Sequence, residues 1–396
     1  MRRAYASFAA ALGCAALLAA SPAAANGRFP EANQIFLSPE NPDFMAVRVT
    51  FGMLLSLDRG KSFDWVCEKV IGYSGTEDPM YAVAPSGALL ASTFEGVSIS
   101  RDRACGWSFV GGELADQVFI DLAASPNDGR NVVAFASSYK EQTDAGGILF
   151  NNRIWETKDE GVTFQQLGAP LDPTLLGHTI DLTAPDPNRI YVTGIRDAGT
   201  PAVRAFLLVS KDHGTSWAEV QIPLEPGERG VYIAAVDRTN AERVYLRTAN
   251  QVDKASRLLL REPDPAGGAG IVRPIFTAKG PLLGFALTPD GSKIYAGGPA
   301  DGLLVASTSD FVFTQRSTVE IQCLTLASDG LWACSNEQNG FIAGFSKDDG
   351  ATFEPRLRFC DIRGPLACEG STSPSSQCAA EWALSLIHIS EPTRRS

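Results

Sequence analysis

The sequence is short of the residues from which most metal and nucleophile sites are built. Only 3 histidines occur in 396 residues, no two cysteines form a CxxC pair, and neither an HExxH motif nor a Gly-rich phosphate loop is present, so metallohydrolase and nucleotide chemistry have little to stand on. Positive charge is scarce too. The 34 Lys and Arg against 45 Asp and Glu leave a net charge of −11, which argues against nucleic acid or an anionic membrane as partner, since both require clustered base. No long stretch carries apolar residues at i, i+3, i+4 and i+7, and this excludes a helical architecture. The apolar stretch from Phe8 to Ala20 is 13 residues long, too short for a stable membrane anchor.

Turn formers, in contrast, are plentiful, with 37 Gly and 24 Pro, as expected of many short strands joined tightly. Arg2 and Arg3, the apolar stretch and the Ala23-Ala24-Ala25 cleavage pattern read as a Sec-type signal peptide over 1–25, with Asn26 opening the mature chain. Seven cysteines follow it, and in an exported chain they are expected to form disulfides with one left over.

One eight-residue pattern recurs, Ser/Thr-x-Asp-x-Gly-x-Ser/Thr-aromatic. It runs through Asp58, Gly60 and Phe63; Asp159, Gly161 and Phe164; Asp212, Gly214 and Trp217; and Asp348, Gly350 and Phe353. A looser copy starts at Ser100 and Asp102 and is read with two extra residues before Gly106, then Ser108 and Phe109. Around these copies seven units of similar design follow one another, opening at Ile35, Met80, Phe119, Ile180, Val231, Leu283 and Ile321. Each opens on an apolar run that ends in a Pro/Asn/Asp turn, followed by a second β-branched and aromatic strand such as Ile190-Tyr191-Val192. The fifth and sixth units keep the framework without the signature. Recurrence at this spacing predicts an all-β fold, a single seven-bladed β-propeller of four-stranded antiparallel blades over 26–359.

The repeated pattern resembles that of the Asp-box, or BNR-repeat, propellers, which include sialidases, sortilin-type ectodomains, xyloglucan-cleaving enzymes and photosystem assembly factors. The resemblance covers nearly the whole mature chain and speaks to fold far more than to function. Each box is expected to be structural: the Asp accepts backbone N–H bonds in a turn between the third and fourth strands, the Gly supplies a positive φ, and the aromatic tucks between blades. On that layout Cys67 and Cys105 are expected to bridge adjacent blades and Cys323 and Cys334 to pair across a hairpin. One bridge is expected inside the Cys-containing tail 360–383, which holds Cys360, Cys368 and Cys378.

Beyond that tail, Leu384 to Arg394 read LSLIHISEPTR, similar to the direct translation of a transposase mosaic-end sequencing adapter. Residues 384–396 are therefore expected to be foreign and the tail truncated, which removes His388 from consideration.

In such propellers the boxes rim one face, and ligands are expected on the other. That face receives Tyr139 and Lys140 in a long loop from Ser137 to Gly147, together with His178, Arg196, Asp197, Arg229 and Asn250. The expected function is a secreted or cell-surface bacterial binding or scaffold module for an extracellular protein, peptide or glycan, sortilin-like in style and monomeric. No nucleic acid, membrane insertion, metal, cofactor or catalytic residue is assigned. The alternative is a sialidase-like glycoside hydrolase, which needs an arginine cluster, a Tyr nucleophile with a supporting Glu, and an acid. Arg196, Arg229 and Arg247 do not assemble into such a cluster by spacing, and Arg28-Phe29-Pro30 only approximates the Arg-Ile-Pro of that family.

Overall fold

Each of the seven units folds into one sheet of four consecutive antiparallel strands, and the sheets close into a ring as a seven-bladed β-propeller. The computed structural model describes residues 29–144, 146–250, 255–266 and 270–382; the expected signal peptide and the adapter-like segment lie outside the described residues. The blades span 32–66, 81–109, 119–166, 176–222, 228–277, 284–317 and 323–357.

Blade 4 shows why the sequence alternates as it does. Its second and third strands, Ile190–Arg196 and Arg204–Ser210, are buried along almost their whole length, because both sides of the sheet pack on neighbouring blades. They therefore read as continuous apolar runs rather than alternating ones. The fourth strand, Ala218–Ile222, is mostly exposed. The hydrophobic core lies at the seams: Phe135 and Ile154 of blade 3 cluster with Leu175, Ile180 and Leu208 of blade 4.

The innermost strand of each blade turns one edge to the central channel, where no strand can complete its ladder. Side chains reach across the seams instead. Asp121 of blade 3 accepts the Ile180 amide of blade 4 at 2.8 Å, Thr179 of blade 4 accepts the Ile233 amide of blade 5 at 2.9 Å, and Thr325 of blade 7 donates to the Ile35 carbonyl of blade 1 at 2.8 Å.

The four in-register boxes are superimposable in their bonding. In the last, the Ser346 hydroxyl accepts the Gly350 amide at 2.8 Å, and Asp348 accepts the Thr352 amide at 2.9 Å and the Thr352 hydroxyl at 2.6 Å. These bonds, the Thr352 hydroxyl above all, hold the Asp348 carboxyl down at about 2. Each box glycine has a positive φ and abuts the preceding blade: a Cβ on Gly60 would meet Trp332 of blade 7, on Gly161 Ile99 of blade 2, on Gly214 Leu167 of blade 3, and on Gly350 Leu303 of blade 6. The turns are thus seated on their neighbours.

The copy at Ser100 corrects the sequence reading. Ala104, not Gly106, takes the glycine position: its φ is 67° and its amide donates to the Ser100 hydroxyl at 2.9 Å. Gly106 stands where the others have their second hydroxyl, with its amide on Asp102 at 2.8 Å. No residues are inserted, so Trp107 occupies the aromatic position and Phe109 lies outside it, 44 % exposed. Blade 5 dispenses with the box. There the buried Arg261 donates to the Glu242 carbonyl and carboxylate, both at 2.7 Å, while Arg189 holds the other Glu242 oxygen at 2.5 Å.

The ring is closed by the tail. After blade 7 the chain crosses to blade 1, where Ile362–Pro365 adds as a parallel fifth strand beside Phe63–Val66. Arg363 pairs with Asp64, and Trp382 packs on Trp65 with ring centroids 5.4 Å apart. Two disulfides fasten it: Cys67–Cys378, separated by 311 residues, and Cys105–Cys368, separated by 263. The expected Cys67–Cys105 bridge and the bridge within the tail do not form, because the tail lies over blades 1 and 2 and places a partner beside each ring cysteine. Cys323 and Cys334 face each other on the first two strands of blade 7 and are bonded, and Cys360 is free and exposed. Among the described residues no helix is long and apolar enough to cross a membrane.

Candidate functional site

Antiparallel order fixes what each face of the ring carries. Turns between first and second strands share one face with the boxes; turns between second and third strands, and the links between blades, share the other. A cavity of ≈ 1410 Å³ opens on the box face, lined by first-to-second turns of several blades. Four of its charges are paired with one another, Arg59 with Asp329 at 2.5 Å and Arg130 with Asp128 at 2.9 Å, and Glu40, Asp181 and Arg238 also line it.

The opposite face holds the residues expected from sequence, but it does not bring them together. Arg196 is clamped between Asp172 at 2.9 Å and Glu219 at 2.7 Å, with its guanidinium 4.3 Å from the Phe206 ring centre. Asp197 is engaged by Arg204 at 2.7 Å in a turn where its own φ is +58°. Lys140 lies 3.3 Å from Glu141. Arg229 is exposed, and Asn250 is the strand partner of Glu228. These are rim contacts spread over three blades.

The expected loop from Ser137 to Gly147 is instead a projecting hairpin. Strands Val132–Gln142 and Ile148–Thr157 stay paired out to Gln142 and Ile148, leaving a turn of only a few residues. Tyr139, 63 % exposed, and Ile148, 43 % exposed, are carried on this ordered ribbon rather than on loose chain.

His178 alone among the expected residues belongs to the channel mouth. Its ring stacks on Tyr232 of blade 5 with centroids 4.8 Å apart and 10° between planes, and Nδ1 lies 3.3 Å from the Val231 carbonyl. Burial pushes its pKa below the ordinary value, so the ring is neutral. A Cβ on Gly230 would lie 2.6 Å from His178 Cε1, so glycine there is what admits the ring. Beyond Tyr232 stands Arg247, 5.3 Å from its ring centre, donating to the Leu282 carbonyl at 2.9 Å.

Blade 1 places Arg48 at the matching position. Both arginines are the fourth residue of their blade's second strand, Met45–Val49 and Val244–Asn250. Both reach over the inner strand to a carbonyl of the next blade's incoming chain: Arg48 to Asp78 and Pro79 at 3.2 and 3.3 Å, Arg247 to Leu282. Asn33 steadies Arg48 by accepting Nε at 2.7 Å. In the sequence Arg247 entered only as a member of an arginine triad that spacing did not support, and Arg48 was passed over. The available signal was a lone arginine at the fourth position of the second strand in two blades.

Two carboxyl groups complete the channel. Asp121 is buried and is pushed up to about 8, by burial above all, against the pull of the Ile180 and Leu122 amides and Arg48. Asp181, on the neighbouring inner strand, is raised by burial to about 6, with Arg238 opposing. Both carboxyls accept backbone amides, Asp121 from Ile180 and Leu122 and Asp181 from Leu182 at 2.7 Å, so they are committed to the frame of the channel.

No protein-family model matches the chain, and no curated protein matches it. Its fold is similar to solved propellers. The extracellular domain of a protein described as a hybrid two-component system from B. thetaiotaomicron aligns with TM-score 0.50 and 11 % identity over 78 % of this chain and 37 % of that one. An ancestral GH74 enzyme aligns at 0.42 and 10 % over 84 % and 55 %, and YCF48 bound to D1 peptide at 0.43 and 13 % over 85 % and 87 %. The chain spans little more than a third of the first of these, and at such identities the likeness speaks to fold alone.

Proposed function

We propose that this chain is an exported binding module that captures a protein segment on the face away from the boxes, between the channel mouth and the blade 3 hairpin. The observation that carries this reading is the hairpin itself. It holds Tyr139 and Ile148 out into solvent on paired strands. Large side chains already fixed on rigid backbone lose little freedom when a partner covers them, which favours recognition. Three disulfides support an oxidising compartment, since such bonds do not persist in a reducing one. The hydrolase alternative lacks comparable support, because Asp121 and Asp181 are already engaged as acceptors of backbone amides.

The test is selection of a phage-displayed peptide library on the immobilised chain, followed by affinity measurement of the selected peptides on wild type and on Tyr139→Ser/Ile148→Ser. The expected result is binding that falls at least tenfold in the double variant. Equal affinity in the variant would remove the hairpin from the interface. Ligands found only on a glycan array, or turnover of a fluorogenic sialoside, would overturn the protein-binding reading.

A further inference from the structure

Charge is unevenly distributed over the face away from the boxes. On blades 4 and 5 it is paired: Arg196 with Asp172 and Glu219, Arg204 with Asp197, and Arg257 with Glu228. The turns of blades 1 to 3 on that face, and the links between them, expose six carboxylates, Asp78, Glu95, Glu113, Asp116, Glu141 and Asp144. Against these stand two exposed amines, Lys69 and Lys140, and Lys140 is taken by Glu141 at 3.3 Å. Among the described residues Glu95, Glu113, Asp116 and Asp144 pair with no base.

The same arc carries the large exposed apolar side chains. Phe29 and Phe94 are 53 % and 51 % exposed, and Phe109, Tyr139 and Ile148 are exposed with them; among the described residues the same face of blades 4 to 7 adds only Leu283. Contacts tie the arc together. The Phe29 carbonyl accepts the Thr50 hydroxyl at 2.9 Å in the turn of blade 1, and Arg48 of that blade donates to the Asp78 carbonyl at 3.2 Å. Glu77, next to Asp78, accepts the Phe94 amide at 2.9 Å. The Phe109 ring covers Gly72 of the first link and Gly96 of the Phe94 turn, where a Cβ would lie 2.6 and 3.3 Å from it. The Cβ on Gly96 would also lie 3.6 Å from the Leu114 carbonyl of the next link. That link ends at Val118, whose amide donates to the Ser138 hydroxyl at 2.9 Å, at the foot of the hairpin beside Tyr139. Apolar side chains set among carboxylates without basic partners match a segment that brings its own cations and large apolar groups. A neutral or acidic segment would desolvate those carboxylates without compensation.

We propose that this arc over blades 1 to 3 is the docking surface for a basic protein segment that carries large apolar side chains among its lysines and arginines. The blade 3 hairpin forms one end of the surface and Phe29 the other. The inference deepens the binding-module reading and rests on it for the partner being a protein. The net charge of −11 draws a basic partner in from a distance, and the carboxylates of the arc fix where it lands. Preference for charge is measured apart from capture, so the two can fail separately.

The experiment is fluorescence anisotropy of three short labelled peptides titrated with the chain. The first alternates lysine with tryptophan and leucine, the second has glutamate in place of lysine, and the third has serine in place of tryptophan and leucine. The first is expected to bind in the micromolar range, the second not to bind, and the third to bind at least tenfold more weakly than the first. Raising sodium chloride from about 50 to about 500 mM should weaken the first at least tenfold. Glu95→Gln/Asp116→Asn should weaken it at least threefold, and Phe94→Ser at least fivefold. Asp310→Asn/Glu354→Gln removes the same charge from exposed positions off the arc and should leave the affinity unchanged. Equal binding of the glutamate peptide, or equal losses in the two charge variants, overturns the assignment to a basic partner. Equal binding of the serine peptide, or wild-type affinity in Phe94→Ser, overturns the apolar anchors and the docking surface with them. Phage-selected peptides that need Tyr139 and Ile148 yet carry no excess of lysine and arginine overturn this inference and leave the binding-module reading standing.

Discussion

Removing the tail disulfides offers the sharpest test of how the ring is closed. Loop entropy gives the scale: a bridge closing the 311-residue separation of Cys67 and Cys378 restricts the unfolded chain by about 5.7 kcal/mol. With Cys105–Cys368 still in place, however, the first bridge closes only an effective loop of about 50 residues, worth about 4 kcal/mol. Cys67→Ala/Cys378→Ala and Cys105→Ala/Cys368→Ala should therefore each cost about 4 kcal/mol, and the quadruple variant about 10 kcal/mol, more than the two together. The control is Cys323→Ala/Cys334→Ala, whose 11-residue separation predicts about 3 kcal/mol. Guanidinium unfolding followed by tryptophan fluorescence measures all four, and the Trp65–Trp382 contact reports specifically on the tail. If the quadruple variant loses no more than the hairpin control, the tail does not close the ring and the reasoning is wrong.

Two further outcomes follow from the seams. Gly350→Ala would put a Cβ 2.2 Å from Leu303 at a φ of +81°, whereas Gly87→Ala, at +87°, meets nothing within 4 Å; the first should cost about 2–4 kcal/mol and the second about 1–2, and equal losses in chemical denaturation would show that the box is not seated on its neighbour. Asp121 has a folded pKa raised to about 8 over its ordinary carboxyl value, so its folded form favours the proton. Its contribution is most favourable below about pH 4, declines as pH rises through 8, and is constant beyond. The unfolding midpoint of the wild type should fall between pH 5 and pH 8 relative to that of Asp121→Asn, and parallel pH profiles would contradict the assignment.

Blade number and strand openings were legible because a propeller repeats its local chemistry. The runs beginning at Phe119, Ile180 and Val231 each fall within a first strand, and the Pro/Asn/Asp groups after them are the turns. The second box was misread because its left-handed residue is Ala104, and a pattern keyed to glycine slid two places to Gly106. The partners of Cys368 and Cys378 were not legible, since sequence spacing says nothing about where a tail comes to rest. The Ser137–Gly147 segment looked like a loop because it is polar. It is polar because it projects beyond the body of the blade, where both sides of a hairpin meet water. Arg48 and Arg247 escaped because each is a single charge in its strand, and the carbonyls they reach, before the first strand of the next blade, lie 30 or more residues away in sequence.

The seating of the boxes has a directional consequence. Every box glycine leans on the blade before it, and for blade 1 that blade is the last one made: Gly60 rests against Trp332. During synthesis the later boxes of blades 3, 4 and 7 find their supports already emerged, while the first waits for almost the entire chain. The N-terminal blade is thus the last to become complete. The same blade also receives the fifth strand and one of the tail disulfides, so the blade that emerges first is completed by segments that emerge after blade 7.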